Sequence, residues 1–181
     1  MRLSLAAVAL LSCMLAGCGG LDRQPDTKGQ GNLEQAAIDA GLVVAESELD
    51  LQGLYERQSG LGTDRFCAIG DRVSGYRIGV LAVFGRDSQC EAQGRAVQDG
   101  ARLAITLDRD ANGKAVTGCA FETGFDGTNI RLPGNVPNSC AKLCSDRASL
   151  AGVSMVLTDT DLAAAQKARG RALKRLCPAA D

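Results

Sequence analysis

The sequence predicts a mainly β fold: an antiparallel up-and-down meander of six to eight strands closing into a small barrel, with a short helix before it and a C-terminal helix after it. Three observations predict it. Between Leu49 and Leu157 apolar residues recur largely with a period of two, the alternation expected of strands. Tight turns rich in Gly, Asp and Asn separate the alternating segments, and strands joined so closely cannot be parallel, because parallel neighbours need long crossovers. Glycine accounts for 22 of 181 residues, well above its usual ~7%, as a tightly turned sheet with small inward residues requires. A meander of this length curls and closes to remove its edges. A two-sheet sandwich is the alternative.

Asn32, with Gln35 three residues on, reads as the cap of a first helix. Leu33, Ala36, Ala37 and Ala40 lie on one side of it, and Gly41 ends it. Leu42 to Glu48 could extend either neighbour. Leu49, Leu51, Gly53 and Tyr55 then alternate as a strand, and Arg65 to Ile69 is a short second one. In the third, Tyr76, Ile78, Val80, Ala82 and Phe84 share one face, and Leu81 and Val83 make the other apolar too, which places this strand centrally. Cys90 to Val97 follows, then the turn Gln98-Asp99-Gly100, with Asp-Gly suited to positive φ. Arg102 to Asp108 alternates with Leu103, Ile105 and Leu107 inward, and Asp110 to Gly113 makes the next turn. Ala115, Thr117, Cys119 and Phe121 share a face before Asp126-Gly127, and Thr128 to Leu132 is a short strand closed by Pro133-Gly134. All six aromatics (Tyr55, Phe66, Tyr76, Phe84, Phe121, Phe125) fall in this region, so the core is expected there. Val153 to Leu157 adds one more strand. A helix is expected from about Asp161 to Leu176, apolar along Leu162, Ala165, Ala172, Leu173 and Leu176.

The first residues have a different character. Arg2 precedes an apolar run from Leu3 to Leu15, shorter than the roughly 20 residues that span a bilayer core and laid out as a secretory signal. It ends in Leu15-Ala16-Gly17-Cys18. Gly19 to Gly31 has one large apolar side chain and reads as a flexible tether, with a root-mean-square span of roughly 20 Å. The expected organisation is therefore a signal over 1–17, a lipidated cysteine and tether over 18–31, and one domain over 32–181. An ordinary signal peptide with a chance cysteine is the plainer alternative.

Of eight cysteines, Cys13 falls within the signal and Cys18 at its end. The remaining six, Cys67, Cys90, Cys119, Cys140, Cys144 and Cys177, form an even set, which in an exported chain reads as three disulfides. A metal site at Cys140 and Cys144 is the rival; it lacks histidine, and an oxidising compartment favours bridges. Six cysteines permit 15 pairings. Short loops and a tied-down C-terminal helix favour Cys67–Cys90, Cys119–Cys140 and Cys144–Cys177.

Arg2 is the one charge in the signal, so of 20 basic and 21 acidic residues the mature chain keeps 19 and 21, a net charge of −2. That balance, with no Trp and few aromatics, gives no footing for nucleic acid. Asp108-Arg-Asp110-Ala-Asn112-Gly113 matches the start of a calcium loop. The twelfth position, a bidentate Glu in such loops, is Cys119 here, and strands flank the motif, so a hairpin turn explains it. Lys167, Arg169, Arg171, Lys174 and Arg175 crowd the C-terminal helix. They could meet phospholipid or lipopolysaccharide head groups, although cations near a helix C-terminus also follow from the macrodipole and form a solvated face.

With no histidine in the chain, Ser-His and Cys-His nucleophiles are excluded, and so is the commonest general base. Ser154, in Gly152-Val-Ser-Met-Val156, lacks the second glycine of a nucleophile elbow. Asp126, Asp159 and Asp161 could form an acid/base pair, but turn and cap roles account for each. The sequence therefore points to no catalytic residue, no metal and no cofactor.

The end of the signal, Leu15-Ala16-Gly17-Cys18, resembles the lipobox of bacterial lipoproteins. The resemblance implies cleavage after Gly17, diacylglycerol on the Cys18 sulfur, and stable anchoring by two or more acyl chains. Gly19, where inner-membrane lipoproteins generally carry aspartate, implies the outer membrane, periplasmic face. Lipobox, tether, disulfides and meander together resemble small periplasmic lipoproteins of Gram-negative bacteria. In architecture, with Leu51-Gln-Gly-Leu-Tyr55 and the pair Cys67 and Cys90, they resemble the barrel-type inhibitors of lysozyme and secreted proteases. The resemblance implies a non-catalytic envelope module that binds a protein, glycan or lipid. A carboxylate-dependent hydrolase is the alternative.

Overall fold

The computed structural model describes residues 27–42, 44–145 and 147–177, with the side chains of residues 27–32 left aside. The expected signal, Cys18 and the first part of the tether lie outside the described residues.

Eight strands form one antiparallel sheet: β1 (Gly53–Ser59), β2 (Gly62–Asp71), β3 (Gly75–Val83), β4 (Gln89–Asp99), β5 (Arg102–Asp110), β6 (Ala115–Gly124), β7 (Asn129–Arg131) and β8 (Ser154–Asp159). Their order is β6-β5-β4-β3-β2-β1-β8-β7, so each of the first six pairs with its sequence neighbour and β8 returns to β1. The sheet curls into a half-barrel. Its end strands meet where Phe125, just after β6, bridges Ile130 of β7 and where the Thr123 hydroxyl of β6 donates to the Arg131 carbonyl. No second sheet faces this one among the described residues, so the sandwich alternative is not adopted.

The alternation in the sequence maps onto two apolar clusters. Tyr55, Phe66, Tyr76, Ile78, Val80, Leu103, Ile105 and Leu107 fill the concave side, where Tyr55 packs edge-on against Phe66 and Phe125 at centroid distances of 5.8 and 6.1 Å. On the convex side, Ile69, Leu81 and Val83 lie under Ala165, Ala168, Leu176 and Cys177. This second cluster explains why β3 is apolar on both faces.

The expected strand start at Leu49 is corrected. Leu49 and Leu51 are buried in the concave core, but ladder pairing begins at Gly53. Residues 49–51 instead cross the end of the half-barrel, held by side chains. Gln98 Nε2 donates to the Leu49 carbonyl at 3.0 Å, Tyr55 Oη to the Leu51 carbonyl at 3.0 Å, and Tyr76 Oη to Asp50 Oδ1 at 2.8 Å. Burial, and then the Asp50 carboxylate, push both phenols above the usual tyrosine range, so both stay neutral donors at physiological pH. Glu46–Glu48 forms a 3-10 turn and extends neither neighbour.

Helix α1 covers Thr27–Asp39. It begins inside the expected tether, so Asn32 lies within the helix instead of capping it. Lys28 and Gln30 are good helix formers, and Gly29 and Gly31 weaken a helix by only about 1 kcal/mol each. The stop comes where the sequence places it: Gly41 N donates to Ile38 O and Leu42 N to Ala37 O, the reciprocal pair of a Schellman ending.

The three disulfides join all six cysteines, with a changed connectivity. Cys119–Cys140 is the expected pair. The other two are Cys67–Cys177 and Cys90–Cys144, not Cys67–Cys90 and Cys144–Cys177. Parity in the strands is the reason. Cys90 shares the concave face with Ala92 and Cys119, whereas Cys67 points to the convex face, so a Cys67–Cys90 bridge would have to cross the sheet.

The segment between β7 and β8 is part of the core. Its 3-10 turn Asn138–Leu143 buries Cys140 and Leu143 on the concave side beside Leu132, Leu150 and Val153. Two bridges and the Ser139 hydroxyl, which donates to the Gly118 carbonyl at 2.6 Å, fix it against β4 and β6. It fills the trough of the half-barrel.

Candidate functional site

The C-terminal segment was expected to be one helix to Leu176. Helix α2 covers only Leu162–Lys167, and the chain beyond it forms a strap over the convex face. Glu91 breaks the helix. Its side chain points outward from β4 beneath the strap, Glu91 is 1% exposed, and its carboxylate accepts the amides of Arg171 (3.2 Å), Ala172 (2.9 Å) and Leu173 (2.8 Å). A carboxylate can satisfy several amides at once, which removes the need for helical bonding there. Gly170 allows the approach, since a Cβ at that position would overlap the Glu91 carboxylate.

The returning limb is fixed just as closely. Gln93 Nε2 donates to the carbonyls of Arg175 and Leu176, both at 3.0 Å. The Leu176 carbonyl rests where a Cβ of Gly79 would be, so only glycine fits in β3 at that point. Arg171 reaches the β3–β4 turn, donating to Gly85 O at 2.7 Å and Arg86 O at 2.9 Å. Cys67–Cys177 closes the strap.

Between its two limbs the strap encloses an open cleft of about 890 Å³, lined by Gln166, Lys167, Arg169, Lys174, Arg175 and Cys177. Four of the five cations noted along the expected helix line this cleft, and the fifth, Arg171, is used to hold the strap. Among the described residues no carboxylate lies within ion-pair distance of the four lining cations; the ion pairs found are Arg57–Asp64, Arg65–Glu56 and Arg95–Asp108. The helical reading would have placed these side chains around a rod. The strap instead places all four residues on the wall of one cleft.

The other candidates fall into structural places. Asp110 Oδ1 accepts the amides of Asn112 and Lys114 at 2.9 and 2.8 Å, so the calcium-like stretch is a hairpin turn. Among the described residues no three potential ligands gather around a metal position. Asp159 Oδ1 accepts the Asp161 amide at 2.8 Å, and Asp161 precedes α2 without a side-chain capping bond. Ser154 opens β8 opposite Arg131.

Asp126 organises the β6–β7 turn. Partial burial raises its pKa, but donation from the Thr128 and Asn129 amides and side chains outweighs this and holds the carboxyl below the ordinary aspartate range. The stability it adds is therefore complete above the unfolded pKa, about 3.9, and lost as pH falls through the lower folded value. Asp126→Asn is expected to lower the melting temperature at pH 6 and to change it little at pH 2; an equal drop at both would rule out the ionised carboxylate as the stabilising form.

No family model, curated protein or solved structure matches the chain.

Proposed function

We propose that this chain is a lipid-anchored envelope protein, held through acylated Cys18 to the outer membrane on its periplasmic face, and that it binds an acidic envelope ligand at the strap cleft without catalysis. The observation that carries the binding reading is the group of four cations, free of carboxylate partners among the described residues, converging on one cleft. Gathering like charges is unfavourable unless an anion offsets it. The strap backbone is fixed by a disulfide, a buried carboxylate and Gln93, so the positions from which the cations extend are set before any ligand arrives, which reduces the entropy lost on binding. For the anchor the support is the lipobox, Leu15-Ala16-Gly17-Cys18. Among the described residues no helix is long and apolar enough to cross a membrane.

Two measurements test the reading. Labelled palmitate should enter the wild type and be absent from Cys18→Ser; label retained in that variant would refute the anchor. Inorganic phosphate titrated into the full chain should shift the amide resonances of residues 166–177, with an apparent affinity that falls as salt rises. Replacing Lys167, Arg169, Lys174 and Arg175 with glutamate should abolish those shifts. Shifts that survive the four replacements would refute the cleft.

A further inference from the structure

We infer that the convex face carries a second anion subsite, formed by Arg77 and Arg95, and that the two subsites together recognise a ligand bearing two phosphoryl groups, one on each side of the returning strap limb. This inference rests on the strap-cleft reading and extends it. Arg77 and Arg95 are direct cross-strand partners in the β3–β4 ladder, where like charges repel. Arg77 Nε is buried and has no hydrogen-bond partner among the described residues, although a guanidinium donor removed from water normally finds an acceptor. Both arginines line a separate cleft of about 320 Å³ with Ser74, Gly75 and Val97. Among the described residues no carboxylate is within ion-pair distance of Arg77, while Arg95 has one partner, Asp108. Asp108 stands 3.6 Å from an exposed Arg95. Asp71, also on the cleft wall, is engaged by the Val73 and Ser74 amides at 2.8 Å each.

The position of this cleft links it to the first. Arg95 follows Gln93 by two residues on the same face of β4, and Gln93 holds the Arg175 and Leu176 carbonyls. Cys177, on the wall of the strap cleft, lies with its sulfur 3.8 Å from the Arg77 carbonyl. The limb 175–177 thus separates two cationic clefts, with four cations on one side and two on the other. A phosphoryl group carries about −1.5 to −2 charges and accepts a guanidinium fork in bidentate fashion, which matches the paired arginines. Such a ligand could be a phosphorylated lipid head group or a soluble polyphosphate.

The test uses the full chain and two probes. Inorganic tripolyphosphate should shift the amides of 74–77 and 95–97 as well as those of 166–177, whereas inorganic phosphate should act mainly on the latter. Arg77→Gln with Arg95→Gln should weaken tripolyphosphate binding about tenfold, the scale of one lost bidentate contact, and leave inorganic phosphate binding and the melting temperature nearly unchanged. Lys174→Gln with Arg175→Gln should weaken both probes. In a second arm, adding cardiolipin to phosphatidylcholine vesicles should raise co-sedimentation of the Cys18→Ser full chain, and Arg77→Gln with Arg95→Gln should remove that increment, if the phosphoryl groups belong to a lipid. Tripolyphosphate binding without a cardiolipin-dependent increment identifies a soluble ligand. Equal tripolyphosphate affinity of the wild type and the Arg77/Arg95 variant would overturn the second subsite while leaving the strap cleft intact. No phosphate-induced shift at 166–177 in the wild type would overturn the cleft itself.

Discussion

Replacing both Cys67 and Cys177 with alanine is expected to lower the free energy of unfolding by about 4 kcal/mol and to free the strap for proteolysis. This bridge closes a loop of 110 residues, against 54 and 21 for the other two. The chain-entropy model assigns about 5 kcal/mol to a loop of that length, and removal of native bridges typically costs about 2–5 kcal/mol. That is a large share of the roughly 5–15 kcal/mol available to a domain. The loss also has a location. Cys67 and Cys177 are central to the convex cluster with Leu81, Val83 and Leu176, so the strap should detach before the half-barrel opens. Urea unfolding measures the first effect. Limited trypsin digestion measures the second, because cleavage after Lys167, Arg169, Arg171, Lys174 or Arg175 should outrun cleavage in β1–β8. A variant within about 1 kcal/mol of the parent with an equally resistant strap would show that the bridge is dispensable for holding it.

Glu91→Ala should be nearly as damaging, at about 3 kcal/mol. The carboxylate is buried and accepts three strap amides; removing it leaves three donors without an acceptor, at a cost of roughly 1 kcal/mol or more each. Gln89 Nε2, at 3.2 Å from Glu91 Oε2, loses its acceptor as well. Glu91→Gln keeps the volume and one oxygen but turns an NH2 toward amide donors, so it should recover only part of the loss. Combined with the Cys67/Cys177 replacement, the two effects should not add, since both release the same segment. The measurement is again urea unfolding, with hydrogen exchange at the amides of 171–173. Unchanged protection at those amides in Glu91→Ala would show that the strap holds its shape without the carboxylate.

Several features were legible in the sequence because they are local. The period of two in Tyr76–Val83 and Arg102–Asp108, the turns at Asp99-Gly100 and Asp126-Gly127, and the stop at Gly41 depend on residues a few positions apart. They gave the antiparallel meander, its order through β6 and most of its boundaries. The even cysteine set gave three bridges, and the cations that line the cleft were visible as a run. Leu49 to Gln52 misled because alternation records which side chains are inward, not whether the backbone is paired in a ladder.

What only the tertiary structure decided lies at long sequence separation. Helical propensity in 161–176 yields to Glu91, eighty residues or more away from the amides that it captures, because a buried carboxylate must be satisfied and the helix does not supply free donors in mid-course. The bridge pairing follows from which face of a curled sheet each cysteine occupies, and short loop length is a poor guide once six strands intervene. The strap cleft is the product of both: the sequence set its charges, and the fold brought them to one place.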